Sequence, residues 1–489
     1  MDATSQIPSP TGPDPNEKPP EQPARPAPRA RQWLALALVL AAVVTAFARW
    51  PIGALQTMSI AIGVVFLGGT ASKLGACLAG VRRGRYRPVT DDDLAELREE
   101  GLPVYTVLAP LFRQADAAGQ LIKNLMELDY PVGKLEVLLL LESGDGQTLA
   151  ATEEAGLPPY MRVIVVPPGE PQTKARACNV GLSAARGEHL VCYDAGDKPD
   201  LDQLKKAVVA FRRGGDEMAC VQAALNYRNG RENVPARVLP AKHSFWLDCV
   251  LPGLDALRLP IPLGGNSSHF RTEALRRLAG WNPFSSTDAA DLGIRASALG
   301  YTVGVINSTT TEEAGRNRGD WLRQRSTLIK GDMQAALANG RDPRSLVRVA
   351  GLRRALGLMM VTVGSSLASV FLLPLWILLA AALLIPARTL GVVYPDWTLW
   401  LGLFSLLAGN SLMIYVTMLS AFLRQREGQV LWSLFSPFCW ILHSIASQAA
   451  LWQLVTRPDY WEKTTYGISA LCGRPDPASA SVAAQGVVR

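Results

Sequence analysis

Hydrophobic and polar positions divide the chain into three stretches of different texture. Near the N-terminus, two uncharged apolar runs, Trp33 to Ala48 and Ile52 to Ser72, are separated only by Arg49, Trp50 and Pro51. A bilayer core needs about 20 apolar residues, within roughly 17–25. The pattern therefore predicts a transmembrane hairpin over 33–72. A cleaved signal peptide is disfavoured, because a second apolar run follows at once and a long polar segment stands in front. Beyond Arg354 come three more uncharged runs, Ala355 to Ala387, Trp397 to Phe422 and Val430 to Val455. They predict interfacial and transmembrane helices over 350–455. The first is too long for one simple span, and Gly364-Ser365-Ser366 is where it would divide. About three spans are expected here, or fewer if one segment is re-entrant, so the side of the tail 456–489 stays open.

The middle stretch, about 100–345, alternates short β-rich runs with helical ones. Val104 to Leu111, Leu135 to Leu141, Arg162 to Val166 and His189 to Tyr193 read as strands. Ala115 to Leu128 and Ala175 to Ala185 read as helices. Strands alternating with helices predict an α/β unit with a mostly parallel sheet. In such sheets ligands bind at the carboxyl ends of the strands.

Composition adds a little. The chain has 489 residues, 48% hydrophobic and 19% charged, with a net charge of +7. A charged share below the usual ~25% argues against disorder, a coiled coil or a nucleic-acid binder held by charge. Mean hydropathy is +0.13, high for so long a chain. Seven cysteines without a C-x-x-C pair form neither a disulfide framework nor a zinc site. Residues 1–32 hold nine prolines and too little apolar surface to order, and predict a disordered tail. Arg25, Arg29 and Arg31 precede the first apolar run, and Arg82, Arg83, Arg85 and Arg87 follow the second. By the positive-inside rule both hairpin ends, and the middle domain, lie in the cytoplasm.

Candidate chemistry sits where strands end. Glu142-Ser143-Gly144-Asp145 follows the second strand and Asp194-Ala195-Gly196-Asp197 the fourth. Carboxylates there suit a divalent cation and a sugar hydroxyl, although solvated Asx turns explain either motif alone. His189, His243 and His443 have no paired group at suitable spacing. Cys178 and Cys192 read as packing residues, and Trp397, Trp400 and Trp452 as interfacial anchors.

The order of the motifs says more. Val104 to Leu111 opens the domain, Tyr130-Pro131-x-x-Lys134-Leu135-Glu136 precedes the first acidic motif, and Lys174-x-Arg176-x-x-Asn179 precedes the second. Leu263-Gly264-Gly265-Asn266-Ser267-Ser268-His269-Phe270, Gly280-Trp281, Thr287-Asp288-Ala289-Ala290-Asp291-Leu292-Gly293, Glu312-Glu313 and Trp321 to Ser326 follow, with Tyr460 to Thr464 in the tail. This series resembles the membrane-embedded family 2 glycosyltransferases, the group of cellulose and hyaluronan synthases, and most of all their bacterial exopolysaccharide relatives. The resemblance covers roughly Val104 to Gly467.

The resemblance implies a cytoplasmic GT-A nucleotide-binding domain inserted between N- and C-terminal transmembrane helices of the bacterial inner membrane. It implies inverting transfer from a nucleotide sugar, usually a UDP-sugar, to a polysaccharide or lipid acceptor, with Mg²⁺ or Mn²⁺, a general base and other synthase subunits as partners. Asp145, Lys174, Asn179 and Asp194 match nucleotide-contacting positions. Asp194, with Asp197 next to Gly196, is expected to hold the metal. Gly264, Gly265, His269, Gln324 and Arg325 match the acceptor side, where a structural role for His269 is equally open.

Four departures fall on the chemistry. The third position of the D-x-D motif is Gly196, and Gly144 stands where an acidic residue usually precedes Asp145. Ala289 occupies the general-base position, leaving Asp288 as the substitute base. The Q-x-x-R-W motif reads Gln324-Arg325-Ser326-Thr327-Leu328, without its Arg and Trp. Loss of a general base costs about 10²–10⁴ in rate. Two readings follow: a working glycosyltransferase, or a degenerate relative kept as a scaffold or regulatory partner of a synthase. A transporter is disfavoured, because the apolar runs carry almost no ionisable residues.

Overall fold

In the computed structural model the described residues are 30–83, 88–227, 245–264, 266–285, 288–312, 318–339, 344, 347–348, 351–359, 364–384, 396–423 and 430–457. Residues 1–29 of the expected Pro-rich tail, His243, Gly265, Thr287, Glu313 and the tail beyond Arg457 lie outside them, while residues 30–32 of that tail open the first helix.

The α/β unit is built on one eight-stranded sheet. Its strands are β1 Tyr105–Leu111, β2 Leu135–Glu142, β3 Met161–Val166, β4 His189–Cys192, β5 Lys198–Pro199, β6 Met218–Tyr227, β7 Ser268–Arg271 and β8 Thr302–Glu312. The order is β3-β2-β1-β4-β7-β6-β8-β5. β3, β2, β1 and β4 are mutually parallel, β7 runs antiparallel to β4 and β6, β6 and β8 are parallel, and β5 is antiparallel to β8. The sheet is therefore mixed but mostly parallel: six strands run one way, and β7 and β5 run the other. The parallel half is the part whose apolar strands and intervening helices are plain in the sequence.

Alternation along these strands sorts two cores. Tyr105, Val107, Ala109 and Leu111 of β1, with Val137, Leu139 and Leu141 of β2, face helices Ala115–Met126 and Gln203–Gly214. Leu108, Leu138 and Leu140 face the opposite way, toward helix Lys174–Ala184 and the segment 245–263. Lys134 closes the entry to β2. Its ammonium donates to the carbonyls of Glu99, Glu100 and Leu102 at 2.9, 2.5 and 2.7 Å, while the Tyr130 hydroxyl donates to the Pro103 carbonyl at 2.5 Å. The Tyr-Pro-x-x-Lys signature is thus a fold device that ties the strand start to the preceding loop.

The two N-terminal apolar runs form helices Ala30–Arg49 and Pro51–Arg83. The second runs past Ser72, where the expected hairpin ends, because its last turns enter the α/β core. Ala76 and Cys77 are buried there with Leu251 and Leu254. The contact is backbone to backbone: a Cβ on Gly253 would lie 1.8 Å from the Ala76 carbonyl oxygen, and one on Gly80 would lie 3.0 Å from the Gly253 nitrogen. Ala76 and Gly80, one turn apart, form a small-residue seam of the sort that lets helices approach closely.

After the sheet come helices Arg318–Asn339, Leu352–Met359, Ser365–Leu384, Asp396–Leu423 and Ser436–Thr456. Among the described residues, two helical stretches, Pro51–Gly80 and Leu431–Thr456, are long and apolar enough to cross a membrane. Large apolar side chains stand exposed on several of these helices, among them Leu38, Val44, Leu384, Phe404 and Phe422.

Candidate functional site

β1, β2 and β4 are neighbours and run in the same direction, so their carboxyl ends open on one edge of the sheet. Each end supplies polar groups to that edge. At the end of β2, Asp145 caps helix Gly146–Glu154 and accepts from the Thr148 backbone N–H at 3.2 Å and the Thr148 hydroxyl at 2.7 Å. It also accepts from the backbone N–H of Arg113, just past β1. Arg113 holds a positive φ of 52°, which aims that N–H. Burial raises the Asp145 pKa, but the three hydrogen bonds and the Arg113 charge outweigh it, and the carboxyl is held below its usual range.

Beside it, Glu142 pairs with Arg176 at 3.8 Å. Arg176 lies two residues after Lys174, the first residue of helix Lys174–Ala184. The Lys174 ammonium lies 2.6 Å from Asp194 Oδ1 and 2.7 Å from Asn266 Oδ1. Thus Asp145, Lys174 and Asp194 gather along one edge, and the Gly264–Ser268 loop joins them through Asn266.

Gln222 of β6 holds that loop. Its Oε1 accepts from the Gly264 N–H at 3.1 Å and the Ser268 hydroxyl at 2.9 Å. Its Nε2 donates to the Asn266 carbonyl at 3.0 Å and the Ala223 carbonyl at 2.9 Å. Gln222 is fully buried. Sequence reasoning missed it; the one signal was a glutamine inside an otherwise apolar run.

Other expected residues go elsewhere. His269 is fully buried on β7, its Nδ1 2.7 Å from the Tyr105 hydroxyl and its Nε2 3.3 Å from Gln203 Oε1. Burial, then the neighbouring His189, lowers its pKa to about 3, so it is a neutral core group. The acceptor contact expected of His269 is therefore corrected to the structural role. Asn179 donates to the Trp281 carbonyl at 2.8 Å and accepts from the Trp281 N–H at 2.9 Å. Gly280 makes this possible: its φ is +68°, and a Cβ there would sit 2.3 Å from Asn179 Oδ1. Asn179 thus locks helix Lys174–Ala184 to the Gly280-Trp281 turn.

Arg325 donates to His443 Nδ1 at 3.2 Å, which joins helix Arg318–Asn339 to helix Ser436–Thr456. Asp288 begins helix Asp288–Ala298, whose next residue, Ala289, is buried in the core. The side chains of Asp288 and Gln324 lie outside the described residues.

The expected metal pair does not fit a cation at this edge. Asp197 is fully buried; its Oδ2 accepts from the Asp194 N–H at 2.7 Å, and its carbonyl accepts from Asn124 at 3.0 Å. Burial and the nearby Asp194 and Glu312 carboxylates push its pKa well above the usual range. Asp197 Oδ1 has no hydrogen-bond partner but is sealed from solvent, so a cation held there would be cut off from any phosphate at the surface. Asp194 is engaged by Lys174, and Gly196 offers no side chain. Among the described residues no group of three or more His, Cys, Asp or Glu is arranged to hold a metal.

An α/β unit with polar groups gathered at its strand ends narrows the class, and comparison with known proteins gives the family. Residues 189–452 match the model of the glycosyl transferase family group 2, and the chain belongs to that family. It is 25% identical over 293 residues to the beta-monoglucosyldiacylglycerol synthase of Trichormus variabilis, covering 58% of this chain and 60% of that protein. It is 23% identical over 240 residues to the probable glycosyltransferase YdaM of Bacillus subtilis, covering 48% of this chain and 57% of that one. The chain thus spans less than two thirds of these relatives. Among solved structures, the mannosyltransferase PcManGT from Pyrobaculum calidifontis, in complex with GDP-Man and Mn²⁺, aligns with a TM-score of 0.46 at 18% identity. That alignment covers 80% of this chain and 99% of that one.

Proposed function

We propose that this chain is a membrane-bound glycosyltransferase that moves a sugar from a nucleotide-sugar donor, probed first as a UDP-sugar, to a lipid or polysaccharide acceptor. The observation that carries the reading is the grouping of Asp145, Lys174 and Asp194 on the strand-end edge of an α/β unit of this family. Asp145, fixed in its ionised form, suits a hydrogen bond from a ribose hydroxyl or base N–H. Lys174 suits a diphosphate, as a compact point charge.

Transfer is a single inverting displacement. The acceptor hydroxyl oxygen bonds to the anomeric carbon, the bond from that carbon to the diphosphate breaks, and the nucleoside diphosphate leaves with the electron pair. The hydroxyl proton passes to a carboxylate, for which Asp288 is the candidate, since Ala289 cannot take a proton. A lipid acceptor is favoured by two features. The apolar helix Pro51–Arg83 is packed into the same domain, and the relative from Trichormus variabilis is named for a glycolipid product.

The test is transfer of radiolabelled sugar from a panel of UDP- and GDP-sugars to diacylglycerol-containing vesicles, wild type against Asp288→Ala. Wild-type turnover, with a loss of about 10²–10⁴ in Asp288→Ala, supports the reading. Turnover unchanged in Asp288→Ala removes Asp288 as the base. Nucleotide binding with no turnover from any donor favours the scaffold reading, to which Gly196, Ala289, Thr327 and Leu328 point.

A further inference from the structure

Resting on that donor-site reading, we infer that the site binds its nucleotide without a divalent cation. The Lys174 ammonium takes the place a metal would hold against Asp194.

Three features of the strand-end edge carry this. First, the Asp194 carboxylate already has a cation on it, with Lys174 at 2.6 Å from Oδ1. The lysine is also held from its other side by Asn266 Oδ1 at 2.7 Å, and Asn266 is held in turn through its carbonyl by the buried Gln222. The ammonium is therefore placed by the fold rather than by chance collapse onto an acid. A divalent ion at the same oxygen would face this positive charge at close range.

Second, the second carboxylate is missing although there is room for it. A Cβ at Gly196 would meet nothing within 4 Å. Magnesium and manganese bind through oxygen ligands in near-octahedral sites. With Gly196, the Asp194–Asp197 turn presents among the described residues one surface carboxylate, shared with a lysine.

Third, Asp197 does not supply the loss. Its side chain is turned into the protein, where one oxygen accepts from the Asp194 N–H and the other is sealed from solvent. Bringing it to the edge would break the turn that shapes Asp194, including the Asp197 N–H bond to the Asp194 carbonyl at 3.0 Å.

The consequence for recognition is a site that meets the diphosphate with a fixed ammonium. Lysine serves phosphate in this way as a point charge, without the geometric demands of a coordination shell.

The experiment is calorimetric titration of the full chain in nanodiscs with UDP and, in parallel, GDP, each in excess EDTA and in MnCl₂. Wild type should bind one of the two equally in both media. Lys174→Ala should lose about 10–100-fold in EDTA, the value of a charge-assisted hydrogen bond. Gly196→Asp, which fills open space and leaves Lys174 in place, should gain a tightening by Mn²⁺ that wild type lacks. It serves as the control should Lys174→Ala fold poorly. Wild type that loses tenfold or more in EDTA, or that responds to Mn²⁺ as strongly as Gly196→Asp, overturns the inference and leaves the donor site standing. Lys174→Ala that is folded and binds like wild type in EDTA also overturns it. Absence of binding by both nucleotides in both media sinks the donor-site reading, and this inference with it.

Discussion

Gln222→Met tests how far the strand-end edge depends on one buried amide. Methionine matches glutamine in length and shape, so packing on β6 is kept while four hydrogen bonds are lost. The fully buried Ala223 carbonyl, next in the chain, loses its side-chain donor. The Gly264 N–H, the Ser268 hydroxyl and the Asn266 carbonyl lose a partner that lies 42 to 46 residues away in sequence. A buried polar group left without a partner costs about 1–3 kcal/mol. Gly264 and Asn266 are half-buried and can turn toward water, so a total of about 3–5 kcal/mol is expected rather than the full sum. For a domain of this size that lowers the melting temperature by about 6–20 °C. Tryptophan fluorescence melts in detergent read the stability, and UDP titration reads the site. UDP binding should weaken as well, because Asn266 loses its hold and with it the second contact to Lys174. A Gln222→Met protein that melts within about 2 °C of wild type, with unchanged UDP affinity, would refute the claim that Gln222 organises the loop.

Three more outcomes follow from other contacts. Asp145→Ala removes the acceptor for two backbone N–H groups and a hydroxyl, and should cost about 1–2 kcal/mol as a lost cap plus most of the UDP affinity; urea melts and titration separate the two. His189 and His269 both have pKa values lowered to about 3, chiefly by burial. In the unfolded chain they titrate near 6.5, so the unfolded state takes up protons first. Stability is therefore full above pH 6.5 and falls below it, by about 1 kcal/mol per histidine between pH 6.5 and 5.5. His269→Gln should halve that histidine contribution in urea melts at the two pH values. Gly253→Val would drive a side chain into the Ala76 carbonyl, so it should abolish the monodisperse peak in size-exclusion chromatography, whereas Gly69→Ala, with nothing within 4 Å of its added Cβ, should elute as wild type.

The parallel half of the sheet was legible because its strands are short apolar runs set between amphipathic helices. β1 to β4 fall within a residue or so of the expected bounds. The rest of the sheet was not. β6 is buried on both faces, so it lacks the alternation that marks a half-exposed strand, and β5 and β7 hold 2 and 4 residues. At the candidate site, Asp145 and Asp194 stood out because strand ends are where an α/β sheet meets ligands, and Lys174 stood out through the family resemblance alone. His269 and Asn179 stood in recognisable motifs too, yet both serve packing: a motif records that a residue type is required, and the requirement can come from the core. Gln222 had no motif, because its partners are brought to it only by the pairing of β6 with β7.

The seam at Ala76, Gly80 and Gly253 also sets a timetable. The helix end that carries Ala76 and Gly80 is made first, and the segment Leu251–Ala256 that covers it follows about 175 residues later. At synthesis rates of about 5–20 residues per second, that helix end waits some 10–35 s for its cover. The newborn chain therefore passes through a stage in which a small-residue groove stands open beside a half-made sheet. A second nascent copy, or a holding chaperone, could fill that groove before the chain's own segment arrives.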